Sequence, residues 1–298
     1  MYRSFPAVAL AAALCCSVRG QLVPDAKRVE PLLREARSPG GSGIFYHSGP
    51  VMADGVNLYY IWYGDWSADA QGAALLTALA QSLGGSAYFN INTTYHALIN
   101  GRDSGIQNVV HLAGTATDAY SQGRSLTSQA TPEIVANAIV SGHLPADANG
   151  VYLVLASPDV SEEEFCKTSC GWHGFQTVNG VDIKFAFVGN PATQCINFCS
   201  LWGPNFPPPN GNPGADAMAS ILAHELSETV NDPHMNAWFD LKGDETADKC
   251  QWSYGTILRV PSGNANSYGV YNVTLGGTNF LLQQLWVNEG AGYCATGY

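Results

Sequence analysis

The chain has 298 residues, 46% of them hydrophobic and 12% charged, with 24 acidic against 13 basic side chains and a formal net charge of −11. That length and apolar content can bury one sizeable core. So few Lys and Arg leave little to neutralise phosphates, which argues against nucleic acid and against an anionic lipid surface as partners.

Met1 to Gly20 carries Arg3, an apolar run from Phe5 to Val18 and then small residues, the pattern of a cleaved secretory signal. The run is too short to span a bilayer, and no later stretch approaches the ~20 apolar residues of a transmembrane helix. Its removal takes away Arg3, Arg19, Cys15 and Cys16, moving the net charge from −11 to −13 and the cysteines from eight to six. The expected protein is soluble and extracellular. Six cysteines (166, 170, 195, 199, 250 and 294) suit an oxidising compartment; they allow fifteen pairings, which the sequence does not separate. A thiolate metal site from the two CxxxC pairs ranks below three disulfides. Two sequons, at Asn92 and Asn272, agree with passage through a secretory pathway.

Residues 21–43 read as a flexible linker or pro-segment, with Lys27-Arg28 as a processing site or simply part of a tail, ending at Ser38-Pro39-Gly40-Gly41-Ser42-Gly43. One domain is expected over 44–298. Val56–Tyr63, β-branched and aromatic between Gly55 and Gly64, reads as a strand. A helix follows from Trp66-Ser67, with Leu75, Leu76, Leu79 and Leu83 at amphipathic spacing and Gly84-Gly85 as the stop. Val109–Leu112 reads as a strand, and Thr131–Val140 as a helix with Pro132 at its first position. Val151–Ala156 has the continuous apolar character of a strand buried on both faces, and Val181–Val188 supplies another. Pro204–Pro213 is a surface loop, after which Asn212-Pro213 caps a helix over Gly214–Asn231. The fold class is α/β or α+β: a single domain with a mixed sheet, flanking helices and a zincin-like active-site helix.

That helix carries His224-Glu225-Leu226-Ser227-Glu228. His224 and Glu228, four residues apart, share one face with Ala217, Ser220 and Ile221, so an imidazole and a carboxylate look into protein and can grip one metal ion. The pattern is HExxE and not HExxH, so an anion stands where a neutral imidazole is usual. Taken alone, the pentapeptide is slightly better explained by a buried His–carboxylate hydrogen bond that anchors the helix. Downstream, His234, Glu245 and Asp248 are alternative third ligands, with zinc as the expected ion and Glu225 as general base for a metal-bound water. Calcium ranks lower; it would use Asp240, Asp244, Glu245 and Asp248 around Gly243, without EF-hand spacing.

Several ordered segments resemble the phosphate-induced, EXORDIUM-like family of secreted proteins. They are Tyr46–Met52, Asn57–Gly64, Tyr88–Thr94, Cys170-Gly171-Trp172-His173, Gly214–Glu228, Asp232-Pro233, Asn236-Ala237-Trp238 and Ala247-Asp248-Lys249-Cys250. The resemblance implies a cell-wall or apoplastic protein associated in plants with phosphate- or hormone-responsive growth, and it leaves the chemistry open. It favours Glu245 or Asp248 over His234, because plant members look apolar at that position. It also implies that a disulfide at Cys250 locks Asp248. His173 follows a matched Cys-Gly-Trp within reach of the site, though a lone histidine beside a disulfide, like His47, reads first as a packed structural residue; Trp62, Trp66, Trp172 and Trp238 read as core aromatics in preference to sugar-stacking platforms.

Two functions follow. One is a secreted zinc-dependent, peptidase-like hydrolase acting on a peptide or cell-wall component; the other is a non-catalytic matrix or growth-signalling protein in which the same residues form a structural metal site or polar cluster.

Overall fold

A computed structural model describes residues 43–99, 101–203, 205–261 and 268–298. The expected signal segment and nearly all of the linker lie outside the described residues, as does Pro204.

Five strands form the central sheet: β1 (Val56–Tyr63), β2 (Val110–Asp118), β3 (Gly150–Ala156), β4 (Gly171–Val178) and β5 (Val181–Val188). Their order is β2-β1-β3-β5-β4, with parallel pairing throughout except for the β5–β4 hairpin at one edge. The sheet is therefore mixed, as expected. β1 and β3 sit centrally, and every residue of β3 is buried, which is why they read as near-continuous apolar runs. β2 lies at the other edge and alternates toward solvent, a weaker signal, so the strand expected over Val109–Leu112 extends instead to Asp118.

Three long helices flank the sheet: α1 (Ala70–Leu83), α2 (Ala130–Val140) and α3 (Pro213–Asn231). α1 and α3 cover one face, where the Tyr60 hydroxyl of β1 donates to the Leu76 carbonyl of α1. α2 covers the other, its Pro132 carbonyl accepting from Gln176 Nε2 of β4. The N-termini of α1 and α3 are tied together: Asp69 caps Gly72 N–H of α1, Asn212 caps Ala215 N–H of α3, and Asn212 Nδ2 donates to Asp69 Oδ1 at 2.7 Å. α1 thus starts at Ala70, later than Trp66-Ser67. α2 starts at Ala130 without a side-chain cap, placing Pro132 third and not first; a missing N–H is harmless there because the first turn has no internal acceptor for it.

Strand β4 is not marked by the sequence pattern. Its sequence, Gly-Trp-His-Gly-Phe-Gln-Thr-Val, contains two glycines and three polar residues, yet it is buried along most of its length. Gly171 is needed for close approach: a Cβ there would lie 2.6 Å from Ile221 Cγ2 and 2.8 Å from the Phe187 carbonyl oxygen. This brings β4 directly under α3.

All six cysteines of the described domain are paired, as Cys166–Cys195, Cys170–Cys199 and Cys250–Cys294. The thiolate metal site is thereby ruled out. The first two bridges clamp the CxxxC segments to each other at the entrance to β4. The third joins the short 3-10 turn Asp248–Cys250 to the strand Tyr293–Ala295 of a C-terminal hairpin. Asn92 is fully buried and its Oδ1 accepts from Asn231 Nδ2, so this sequon offers no surface amide for a glycan.

Candidate metal centre

α3 is buried from Gly214 to Asn231, so its polar residues must find partners inside the protein. His224 and Glu228 lie one turn apart on the face toward β4 and the 240–250 loop. His224 Nε2 is 3.2 Å from Glu228 Oε1 and 3.6 Å from Asp248 Oδ1. The Asp248 backbone N–H donates to the same Glu228 Oε1 at 2.9 Å.

From the sheet side comes His173 of β4, 1% exposed. Its Nδ1 lies 3.6 Å from Glu225 Oε2 and 3.8 Å from Glu228 Oε2, and its Nε2 lies 3.8 Å from Glu245 Oε1. None of these is a hydrogen bond, and neither ring nitrogen of His173 has a hydrogen-bond partner; nor do His224 Nδ1, Glu225 Oε2 and Glu228 Oε2. Two histidines and four carboxylates therefore converge, with atoms spaced as if around something between them. The donor atoms fall into two sets, His173–Glu228–Glu245 and His224–Glu228–Asp248, each with its atoms within 4.8 Å of one another.

The loop carrying Glu245 and Asp248 is held rigidly. Tyr95 Oη donates to the Trp286 carbonyl at 2.7 Å, the Trp286 N–H donates to the Thr246 carbonyl at 3.0 Å, and Cys250 is bridged to Cys294. At the helix end, Asp232 is buried and its Oδ1 accepts from the N–H groups of Asn236 and Ala237, which fixes the turn beyond α3.

The electrostatics follow from burial of so many like charges. Burial pulls His224 toward the neutral imidazole, but the carboxylates of Glu228, Asp248 and Glu225 outweigh it and hold its pKa well above the ordinary value. His173 is affected in the same way: burial lowers its pKa, but Glu225, Glu228 and Asp232 outweigh that and raise it above the ordinary value. The Glu228 carboxyl is pushed up by burial, a shift that His224 counters and Asp248 reinforces. Without a cation, protonated imidazoles are the site's main countercharge.

A cleft of about 20 Å³ opens beside the cluster, lined by His224, Glu225, Asp248, Gly171, Ile221 and Gln283 among others. That is room for roughly one water or one ion.

Among the residues expected from sequence, His224, Glu225, Glu228, Glu245 and Asp248 are brought together. His234 is not: it lies beyond the helix stop, with Nε2 2.9 Å from Asp182 Oδ2 and its ring against Phe175. The calcium arrangement is also broken up, because Asp240 Oδ2 already holds the Lys249 ammonium at 2.9 Å while Oδ1 accepts from Lys242 and Asp244 N–H. His173, read from sequence as a packed structural residue, proves to be central. It shares a face of β4 with Gly171, whose approach to α3 aims the imidazole at Glu225 and Glu228. The detectable signal is a single buried histidine, His173, on the α3-facing side of a buried strand.

Over residues 44–296 the chain matches the sequence profile described as the phosphate-induced protein 1 conserved region. It is similar to Protein EXORDIUM-like 5 of Arabidopsis thaliana, 32% identical over 277 residues, covering 81% of this chain and 74% of that protein. Protein EXORDIUM-like 3 of the same plant is 30% identical over 275 residues, covering 84% and 81%. Protein PHOSPHATE-INDUCED 1 of Nicotiana tabacum is 26% identical over 293 residues, covering 87% and 90%. No solved structure matches.

Proposed function

The chain belongs to the phosphate-induced protein 1 family, and from that premise we propose that it is a secreted, growth-associated extracellular protein whose buried histidine–carboxylate cluster binds a divalent metal as a structural staple. Secretion is supported by the apolar leader Phe5–Val18 and by three disulfides, which persist in oxidising compartments. Among the described residues no helix is long and apolar enough to cross a membrane.

One observation carries the metal reading. His173 is 1% exposed and surrounded by carboxylates, yet neither of its nitrogens has a hydrogen-bond partner. Leaving such groups buried and unsatisfied costs several kcal/mol, and a metal ion satisfies imidazole and carboxylates together. The donor set, imidazole with carboxylate, fits zinc better than calcium or magnesium, which prefer oxygen alone. The ion would join α3, β4 and the 240–250 loop.

A cleft of about 20 Å³ has no room for a peptide beside Glu225, which is 4% exposed. That favours a non-catalytic role. The hydrolase reading retains one supporting observation: Glu225 and His224 both line that cleft, where a water beside the metal would sit. The zinc-loaded protein is expected to leave casein and short peptide libraries uncleaved over hours. Turnover that Glu225→Gln abolishes, with zinc content and melting temperature unchanged, would replace the structural reading with the hydrolytic one.

A further inference from the structure

We propose that the cluster is a two-metal centre in which Glu228 bridges two divalent ions, one held with His173 and Glu245 and the other with His224 and Asp248. The inference rests on the metal reading above and goes beyond it in stoichiometry, in the bridging residue and in the unequal accessibility of the two ions.

The two oxygens of Glu228 face different histidines. Oε1 is 3.2 Å from His224 Nε2 and takes the Asp248 N–H; Oε2 is 3.8 Å from His173 Nδ1 and has no hydrogen-bond partner. A carboxylate with one oxygen committed to each of two ligand sets is the geometry of a bridge, and bridged ions sit on the order of 3.5–4 Å apart. The two sets contribute separate histidines and separate second carboxylates and share only Glu228. The unpartnered, fully enclosed imidazole of His173 marks the inner set independently of the acidic residues.

The two positions differ in access. The cleft is lined by His224 and Asp248, whereas His173 and Glu245 do not line it. An ion held by the His224 set would have a route to solvent through this cleft, whereas one held by the His173 set would sit between β4 and the 240–250 loop, away from it.

The test is native mass spectrometry of the intact secreted chain reconstituted with Zn²⁺, followed by timed chelation. Two zinc ions per chain are expected, with release in two phases separated by at least tenfold in rate. His224→Ala and Asp248→Asn should each leave one ion and remove the fast phase; Glu245→Gln should leave one ion and remove the slow phase; Glu228→Gln should lose both. One ion in the unmutated chain, or two ions retained by Glu228→Gln, overturns the bridge while leaving the metal reading intact. No bound ion overturns both. The stoichiometry and the two release phases of the unmutated protein need no variant, so the proposal stays testable if a substitution impairs folding.

Discussion

The Cys250–Cys294 bridge offers the sharpest quantitative test, because it does two separable things. It closes a loop of 44 residues in sequence separation, and it fixes the turn that carries Asp248 two positions before Cys250. In the chain-entropy treatment, a loop of that length constrains the unfolded state by about 4 kcal/mol at 25 °C. For a domain of this size each kcal/mol moves the melting temperature by roughly 2–4 °C, so Cys250→Ser/Cys294→Ser should melt about 8–16 °C lower. That part of the loss is independent of metal. The second effect concerns Glu245 and Asp248, one carboxylate from each ligand set; freeing their turn leaves Tyr95 and Trp286 as its remaining anchors. Urea unfolding of both proteins, with and without chelator, separates the two effects. The chelated proteins should differ by about 4 kcal/mol, and the variant should respond less to chelator than the parent. A variant within about 1 kcal/mol of the parent would refute the loop-closure reasoning; an undiminished chelator response would refute the claim that the bridge positions the ligands.

Gly171→Ala places a methyl 2.6 Å from Ile221 Cγ2 and 3.0 Å from Glu225 Oε1, so β4 and α3 must separate; thermal melts should show a loss of about 1–3 kcal/mol, and reduced metal retention should accompany it. Asp216 in the first turn of α3 is 2% exposed, and burial raises its carboxyl from the ordinary 3.8 to about 6 despite hydrogen bonds from Asn210 and Asn212. The folded state therefore binds this proton more tightly than the unfolded state, and ionisation costs up to about 3 kcal/mol above pH 6. That cost is relieved as pH falls from about 6 toward 4, so the stability of the parent relative to Asp216→Asn should rise over that window, measured by urea midpoints at closely spaced pH values; a gap independent of pH would contradict the assignment.

Much of the fold was legible because its strongest elements are locally determined. β1 is bounded by glycines with positive φ, Gly55 and Gly64, and β3 is apolar throughout, so both read correctly from pattern alone. The start of α3 followed from Asn212 and Pro213, which act within one turn. β4 was missed because its glycines answer to α3 and to the Phe185 ring, neighbours distant in sequence. The short C-terminal hairpins are held by turns such as Gly276-Gly277 and by packing, with strands of three or four residues, too short to show a period. The cluster divides in the same way. His224, Glu225 and Glu228 stand out through helical spacing, and Glu245 and Asp248 through their place downstream of the helix, which the resemblance favours over His234. His173 comes from a strand whose register against α3 no local pattern encodes, and His234 was drawn in by its spacing from His224, although the turn after Asp232 carries it to Asp182.

The central claim, a metal ion holding α3, β4 and the 240–250 loop together, is tested most directly by calorimetry of the purified protein as secreted, before and after chelation. A ligand present at about a hundred times its dissociation constant stabilises by about 2.7 kcal/mol, so chelation should lower the melting temperature by roughly 5–10 °C, with recovery on adding Zn²⁺. A melting temperature unchanged by both chelator and added zinc would contradict the account and leave the cluster as a buried polar network of imidazoles and carboxylates.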